Sequence, residues 1–350
     1  LMDSKQKKWL WVSIGLSMVI LAVVLVLTFD ENTITALKNL NPWYLLLAFG
    51  LHLLAMGIWG LRIKVMCKSL GYRIAYPHCV NMVCAGQLVA SITPSQIGGE
   101  PIRIHELYKA GMPVADATAV VLVERLLEAV LLVLGVIFGM GLLSIGYNNG
   151  EIPEMLIFGA WAETALFICL LILLAVVLSR PNIIRKIVYK IAWFFTKKWD
   201  STLIENLSVT IDETIERLYK TFALFAGRAS MGLVYGFLLS VAFWVGEYAI
   251  ASVILMGLGY PPNLLLSIVF QLIIAVILMF PTTPGGAGIA EVSYAAFYSL
   301  ILPSAVIGVF VVLLRLILYY SNLLIGFIAS FRIVKREAID KEASPADDES

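Results

Sequence analysis

Long apolar runs, rather than short alternating patterns, dominate this chain. Residues 9–29 carry no charge, and roughly 20 apolar residues in a helix cross the ~30 Å hydrocarbon core of a bilayer. Predominantly apolar runs at residues 42–61, 117–145, 155–178, 229–255 and 304–331 predict further spans, six in all. Lys5, Lys7 and Lys8 precede the first run, so a signal peptide is its competing reading. The run is longer than a usual signal core, and no small-x-small cleavage site precedes Asp30. Two shorter apolar stretches, residues 79–93 and 264–280, lead straight into Pro/Gly-rich motifs. Beyond the first motif, Glu100, Arg103, His105, Glu106 and Lys109 make residues 99–110 too polar to recross the hydrocarbon. Residues 78–111 are therefore predicted to form a re-entrant hairpin, with a second around the later motif. The expected fold class is all-α: a polytopic integral membrane protein with six full spans plus two re-entrant hairpins.

Composition agrees with the pattern. Hydrophobic residues make up 60% of the chain and charged residues only 14%, with a mean hydropathy of +0.91, whereas soluble domains carry roughly 25% charged residues. A formal net charge of +1 gives no basic excess for nucleic acid, and none is expected as a partner. The distribution of basic residues sets the orientation, because short cytoplasmic loops collect Lys and Arg. With the N-terminus inside, the inner loops hold Arg62, Lys64, Lys68, Arg73, Arg103 and Lys109, then the basic residues of 180–228, then Arg332, Lys335 and Arg336. The outer loops hold only Lys38. Both termini are thus expected on the cytoplasmic side of the cell membrane. Under this assignment residues 42–145 and 229–331 run in opposite senses, an inverted-topology repeat within one transmembrane domain of residues 1–335. Residues 336–350 are expected to be a disordered tail.

Residues 180–228 join the repeats. Six basic residues and no acidic one lie between Arg180 and Lys198. With apolar residues at helical spacing, this predicts an amphipathic helix on the inner leaflet, attracting anionic lipids at 180–199. From Ile204 onward Leu207, Ile211, Ile215, Leu218, Phe222 and Phe225 predict a second amphipathic helix, packed on the domain or on a partner.

The candidate chemistry lies in the two motifs, Thr93-Pro-Ser-Gln-Ile-Gly-Gly-Glu100 and Pro281-Thr-Thr-Pro-Gly-Gly-Ala-Gly-Ile-Ala-Glu291. Each ends on a glutamate, and an arginine inside an apolar helix follows: Arg125 by 25 residues and Arg315 by 24. Broken apolar segments at matching places in two halves point to a substrate site near the repeat interface. A charge at mid-bilayer costs about 2.5–3.5 kcal/mol on insertion scales, so each invites an explanation. Arg315 pairs naturally with Glu291. The pair either fixes packing or holds a lipid phosphate, which a guanidinium fork fits bidentately. Arg125 is set to face Glu100, with Glu128 toward another helix or a cavity. Arg103 completes the inner set. Gly98, Gly99, Gly285, Gly286 and Gly288 are expected to free the backbone for unusual conformations and to present N–H groups to an anion. A plain helix break is the alternative. Glu163 and Glu247 are each either protonated and hydrogen-bonded or part of the pathway. Arg62 reads as a snorkelling anchor at the end of its span.

Soluble-enzyme signatures are missing. Cys67, Cys79, Cys84 and Cys169 form no C-x-x-C pair, and His52, His78 and His105 are isolated, so no metal is expected. No Walker loop is present. No cofactor and no catalytic residue are assigned, although Glu106 and Asp116 are the carboxylates one would test first.

The two motifs, with Pro101-Ile102-Arg103 after the first, resemble those of the flippase-like transmembrane domain of lysylphosphatidylglycerol synthases, over roughly residues 9–335. In the bacterial multiple peptide resistance factors of that family the domain moves an aminoacylated phospholipid across the bilayer, while a separate soluble domain makes it. An archaeal member joins the module to a glycosyltransferase acting with a polyprenyl-phosphate sugar. Neither catalytic domain is recognisable here, so the resemblance implies only the membrane module. The expected function is movement of a phosphate-bearing lipid between leaflets. The alternatives are a membrane transferase with a polyprenyl-phosphate-linked donor and a scaffold for a separate synthetase or transferase.

Overall fold

A computed structural model describes residues 31–93, 98–146, 201–279, 283 and 285–343, with scattered positions between 15 and 26 and between 158 and 186. Every regular element among the described residues is helical: α1 Glu31–Lys38, α2 Pro42–Ser69, α3 Tyr76–Ile92, α4 Gly99–Lys109, α5 Val114–Gly146, α6 Ser201–Ala226, α7 Ser230–Gly257, α8 Leu264–Met279, α9 Ile289–Tyr298 and α10 Ser304–Arg315. A π-helical segment, Leu316–Tyr320, joins α10 to α11 Ser321–Ala343. Local signals set the ends. Asn41 caps α2, its Oδ1 accepting from Trp43 N at 3.1 Å, and Pro42 occupies the first turn, where its missing N–H costs nothing.

Among the described residues, three helices are long and apolar enough to cross a membrane: Pro42–Ser69, Ser230–Gly257 and Ser304–Arg336. They contain the expected spans 42–61, 229–255 (but for its first residue) and 304–331. The expected span 117–145 lies within α5, whose first half bears Asp116, Glu124, Arg125 and Glu128. Of the runs at 9–29 and 155–178, and of the basic stretch at 180–199, only scattered positions are among the described residues. Large apolar side chains face outward from the long helices, Trp43, Leu46, Leu54, Val234, Leu238 and Phe327 among them. A surface of this kind suits a hydrocarbon solvent, in which exposure of apolar groups carries no penalty.

The elements recur in order. A long helix, a shorter one, a break, a short polar-capped helix and another long helix run from α2 to α5, and again from α7 to α11. Each shorter pair folds back as a helical hairpin. In the first, a Cβ on Gly99 would sit 2.9 Å from Gly86 O, and His78 Nε2 lies 3.2 Å from Glu106 O. In the second, Leu278 packs at Gly286, and Gln271 Nε2 donates to Tyr298 Oη at 3.3 Å.

Contacts between the halves run antiparallel. Along α2 and α7, Asn41 N donates to Gly257 O at 2.9 Å, His52 meets Glu247 at 2.8 Å, and Arg62 donates to Ser240 Oγ at 2.8 Å. Met66 packs on Gly236 near the other end. In the same sense α3 lies along the π segment and α11, from Ser91 at Tyr319 to His78 at Arg336. The approach is closest at Gly326, where a Cβ would lie 2.5 Å from Cys84 O. Finally α5 lies along α8, with Gly135 on Leu272 and Gly139 on Val269. First helix thus meets first helix, and the second helix of each half meets the last of the other. The two breaks also touch, Gly285 N donating to Thr93 O at 3.3 Å.

A polar lock at Asp116 holds the linker helix α6 to α5. Asp116 at the start of α5 accepts from Tyr72 Oη at 2.5 Å, Thr221 Oγ1 at 2.6 Å and the Arg217 guanidinium at 3.1 Å. Below it, Ile215 and Leu218 are buried, as the apolar spacing of the sequence predicts.

Two outcomes test this packing. In a chain whose four cysteines are replaced by alanine, Met66→Cys with Gly236→Cys should cross-link under mild oxidation, and Met66→Cys with Ile254→Cys should not; the reverse result would make α2 and α7 parallel. Gly326→Ala should destabilise the protein by about 1–3 kcal/mol, the usual penalty of overpacking against an atom that cannot move. Gly246→Ala, where a Cβ meets nothing within 4 Å, should leave thermal unfolding in detergent unchanged.

Candidate functional site

Three helices, α2, α4 and α5, bring a cluster of charges together in the first half. Glu124 of α5 is fully buried and accepts from Trp59 Nε1 and Arg62 of α2 and, at 2.9 Å, from Arg103 Nη1 of α4. Arg62 also reaches Glu128 at 2.7 Å and Ser240 of α7 at 2.8 Å. Glu100 accepts from Arg103 at 3.3 Å and faces Arg125 Nε at 2.9 Å, and Arg125 donates to Glu128 at 2.6 Å. Three arginines face three glutamates, so the cluster carries no formal net charge. The Trp59 ring packs among the three guanidinium groups, at 5.4, 5.1 and 6.0 Å from Arg62, Arg103 and Arg125, close enough for the ring face to attract them.

The cluster is closed on one side and open on the other. The side chains of Arg62 and Glu124 are 0% exposed and that of Arg103 2%, but Glu100 is 22% and Arg125 41% exposed. The Arg125–Glu100 pair, at the mouth of the first break, is therefore the exposed edge of the cluster.

The second half repeats one part of this arrangement. Glu291 of α9 faces Arg315 Nε at 3.0 Å, the same pairing of atoms that joins Glu100 to Arg125. Here both are buried, 0% and 5% exposed. The other carboxylate oxygen of Glu291 accepts from Gly288 N at 2.6 Å and so caps α9. The Arg315 guanidinium lies 4.0 Å from the Tyr319 ring centroid, within the π segment. π segments inside α-helices frequently mark functional sites. Counted from its helix start, Arg62 corresponds to Ile250, while Arg103, Glu124 and Glu128 correspond by the arginine interval to Ser293, Leu314 and Leu318. The wider cluster therefore belongs to the first half alone.

The motif glycines divide by role. Gly285, Gly286 and Gly288 take φ of 60°, 66° and 91°, backbone closed to most side chains. Gly98 has an ordinary φ of −72° and Gly99 is not left-handed either, which corrects the expectation of unusual backbone there. Both glycines allow close approach: a Cβ on Gly98 would lie 2.7 Å from the Thr93 side chain. Nor are the N–H groups of Gly98, Gly285, Gly286 and Gly288 turned outward. Gly98 N donates to Thr93 Oγ1 at 3.1 Å, Gly286 N to Thr283 O, Gly285 N to Thr93 O and Gly288 N to Glu291. In this structure the breaks use these amides to hold their own turns.

Sequence reasoning named Glu100, Arg103, Arg125, Glu128, Glu291 and Arg315, and all lie in these two clusters. It missed the hub. Arg62, read as a snorkelling anchor, is buried because α2 continues to Ser69 instead of ending near residue 61. Glu124, Trp59 and Ser240 were likewise unassigned as partners. Of the two acids inside spans, Glu247 bonds to His52, and Glu163 lies outside the described residues. Glu106 is paired with Arg336 at 3.1 Å, and Asp116 is engaged by α6.

Breaking a buried pair by removing one partner costs roughly 3–5 kcal/mol, since it strands a charge. Glu124→Gln should therefore destabilise the protein by that order, measured by thermal unfolding in detergent, and more than Glu100→Gln at the open edge. Equal losses would place the weight of the cluster elsewhere.

Comparison with known proteins gives a consistent result. The family model of the lysylphosphatidylglycerol synthase TM region matches residues 10–326. A UPF0104 membrane protein of Archaeoglobus fulgidus is 31% identical over 341 residues, covering 95% of this chain and 99% of its own length. Another, of Methanocaldococcus jannaschii, is 28% identical over 92% of this chain and 94% of its own length. The glycosyltransferase AglD of Haloferax volcanii is 22% identical over 83% of this chain, but over only 49% of its own length. A match of this extent, on helices apolar enough to cross a bilayer, makes the chain a membrane protein that belongs to the lysylphosphatidylglycerol synthase transmembrane-region family.

Proposed function

We propose that this protein is an inverted-topology lipid translocase that passes the phosphate headgroup of a phospholipid or polyprenyl-phosphate-linked lipid between leaflets. The observation that carries the reading is the partly exposed Arg125–Glu100 pair on a buried, charge-balanced cluster. A phosphate arriving there exchanges with Glu100 for the Arg125 guanidinium, which offers two parallel N–H donors. Because Arg62, Arg103 and Glu124 stay paired behind it, the headgroup is met by one cation instead of a trap of several.

The antiparallel matching of helices supports an inverted repeat, in which the hairpins α3–α4 and α8–α9 enter from opposite faces and meet where Gly285 bonds to Thr93. Arg315 and Glu291 are the second station, at the mirrored place in the other half. Lipid tails remain in the bilayer, against the apolar outer face of the long helices. The basic stretch at 180–199 binds anionic lipid on the inner leaflet, and both termini lie on that side of the cell membrane. This reading makes the protein a translocator and not an enzyme, with a synthetase or transferase acting as a separate partner.

The likeness to the Haloferax glycosyltransferase favours a second reading, a membrane transferase that uses a polyprenyl-phosphate-linked donor. It differs in one cheap respect: purified protein alone would then form product from such a donor.

In proteoliposomes with labelled lipids, the wild type should move a phosphate headgroup between leaflets. Arg125→Gln should slow this by about tenfold or more, since a charge-assisted hydrogen bond is worth roughly 1.5–3 kcal/mol, and Lys38→Gln should leave it unchanged. No movement of any phospholipid or polyprenyl phosphate would sink the proposal.

A further inference from the structure

One buried titratable group takes no part in either arginine cluster. His52 is 0% exposed, on the eleventh residue of α2, about 15 Å along the helix from Pro42 at 1.5 Å per residue. Its Nδ1 lies 2.8 Å from Glu247 Oε1 of α7, and its Nε2 lies 3.0 Å from Asn322 Oδ1 of α11. The orientation of the Asn322 amide is fixed, because its Nδ2 donates to Leu318 O at 2.7 Å. A flipped amide would set two carbonyl oxygens against each other.

Both ring nitrogens therefore face oxygen. A neutral imidazole has one N–H and one lone pair. Beside an ionised Glu247 it would point that lone pair at an oxygen whichever tautomer it took. One added proton removes the conflict. On the ring, it makes an imidazolium that donates to Glu247 and Asn322 at once. On the carboxyl, Glu247 donates to Nδ1 while Nε2–H donates to Asn322. In both forms the pair is electrically neutral and both bonds are made. Loss of the proton leaves a net negative charge in a buried site, together with one repulsive contact.

We propose that His52 and Glu247 form a single-proton binding site that couples the contact between the two halves to proton activity. The position suits that role. His52 belongs to the first half, and Glu247 and Asn322 to the second, so release of the proton weakens the contact at the middle of the α2–α7 pairing. Other groups that titrate or carry charge lie on α9, which bears the buried Tyr294 and Glu291, and on the π segment, which bears Tyr319 and Tyr320. On α3, His78 is turned to Glu106 and Arg336, and Cys79 and Cys84 lie in the apolar core. On α5, Glu124, Arg125 and Glu128 are engaged in the first cluster. The coupling to lipid rests on the translocase reading, while the proton site itself does not.

The test is a proton count followed by transport. Weakly buffered, purified protein carried from mildly alkaline to mildly acidic conditions should take up one more proton per chain than Glu247→Gln, read with an indicator dye. The glutamine amide donates to Nδ1 as the protonated acid does, so this variant keeps the fold. His52→Gln removes the same proton by the other partner. Equal uptake by wild type and both variants would overturn the site. In proteoliposomes containing labelled lipid, an imposed pH gradient should change the rate of headgroup movement by wild type several-fold and leave Glu247→Gln insensitive. Movement insensitive to the gradient in both would overturn the coupling. A proton difference with no lipid movement at all would leave the site standing and remove the translocase reading instead.

Discussion

Charge cannot stand alone inside a bundle of apolar helices, and that constraint organises this molecule. The protein meets it by neutrality at short range. Glu124 is surrounded by the donors of α2 and α4, Arg315 is laid against Glu291 and a tyrosine ring, and His52 is placed between Glu247 and Asn322. The first and last tie together elements that lie far apart in sequence, and the second ties two consecutive helices. Pairs of this kind contribute little net stability compared with apolar packing. They do fix which helix faces which, because any slip leaves a charge uncompensated. The long helices supply the apolar surface, and the ion pairs supply the register.

The two halves use one plan with different fillings. In both, a glutamate just after a broken segment reaches an arginine of the last long helix, through the same pair of atoms. The first half adds four further charges and a tryptophan and leaves its arginine partly open. The second half has uncharged residues at the places corresponding to those charges and closes its arginine in. One arginine is thus partly open to its surroundings, and its counterpart is closed in.

Much of this was legible in the sequence, because apolar length and Pro/Gly punctuation are local signals. The helices 42–69, 230–257 and 304–336, the two breaks and the Glu/Arg couples are all visible in one dimension. What escaped depends on where a helix stops and on what crosses from a neighbour. Arg62 was assigned to a membrane edge because the apolar run thins at Leu61, yet helical hydrogen bonding continues to Ser69 and carries Arg62 inward, three residues beyond Trp59 and onto the same face. Gly98 and Gly99 resemble Gly285 and Gly286 in sequence, but their use is steric and not conformational. The difference lies in how closely Gly86 approaches. His52 seemed isolated for a similar reason: its two partners are 195 and 270 positions away.

The π segment at Leu316–Tyr320 has a geometric consequence. A π turn accommodates one residue more than an α turn, and each residue of an α-helix advances the side-chain direction by 100°. The extra residue therefore re-indexes everything downstream of Arg315. It allows one continuous helix to aim Arg315 at α9 and, beyond the bulge, to aim Gly326 at α3 and Asn322 at α2. A segment that winds and unwinds this bulge would rotate α11 like a dial, turning both of those contacts together while Arg315 kept its place.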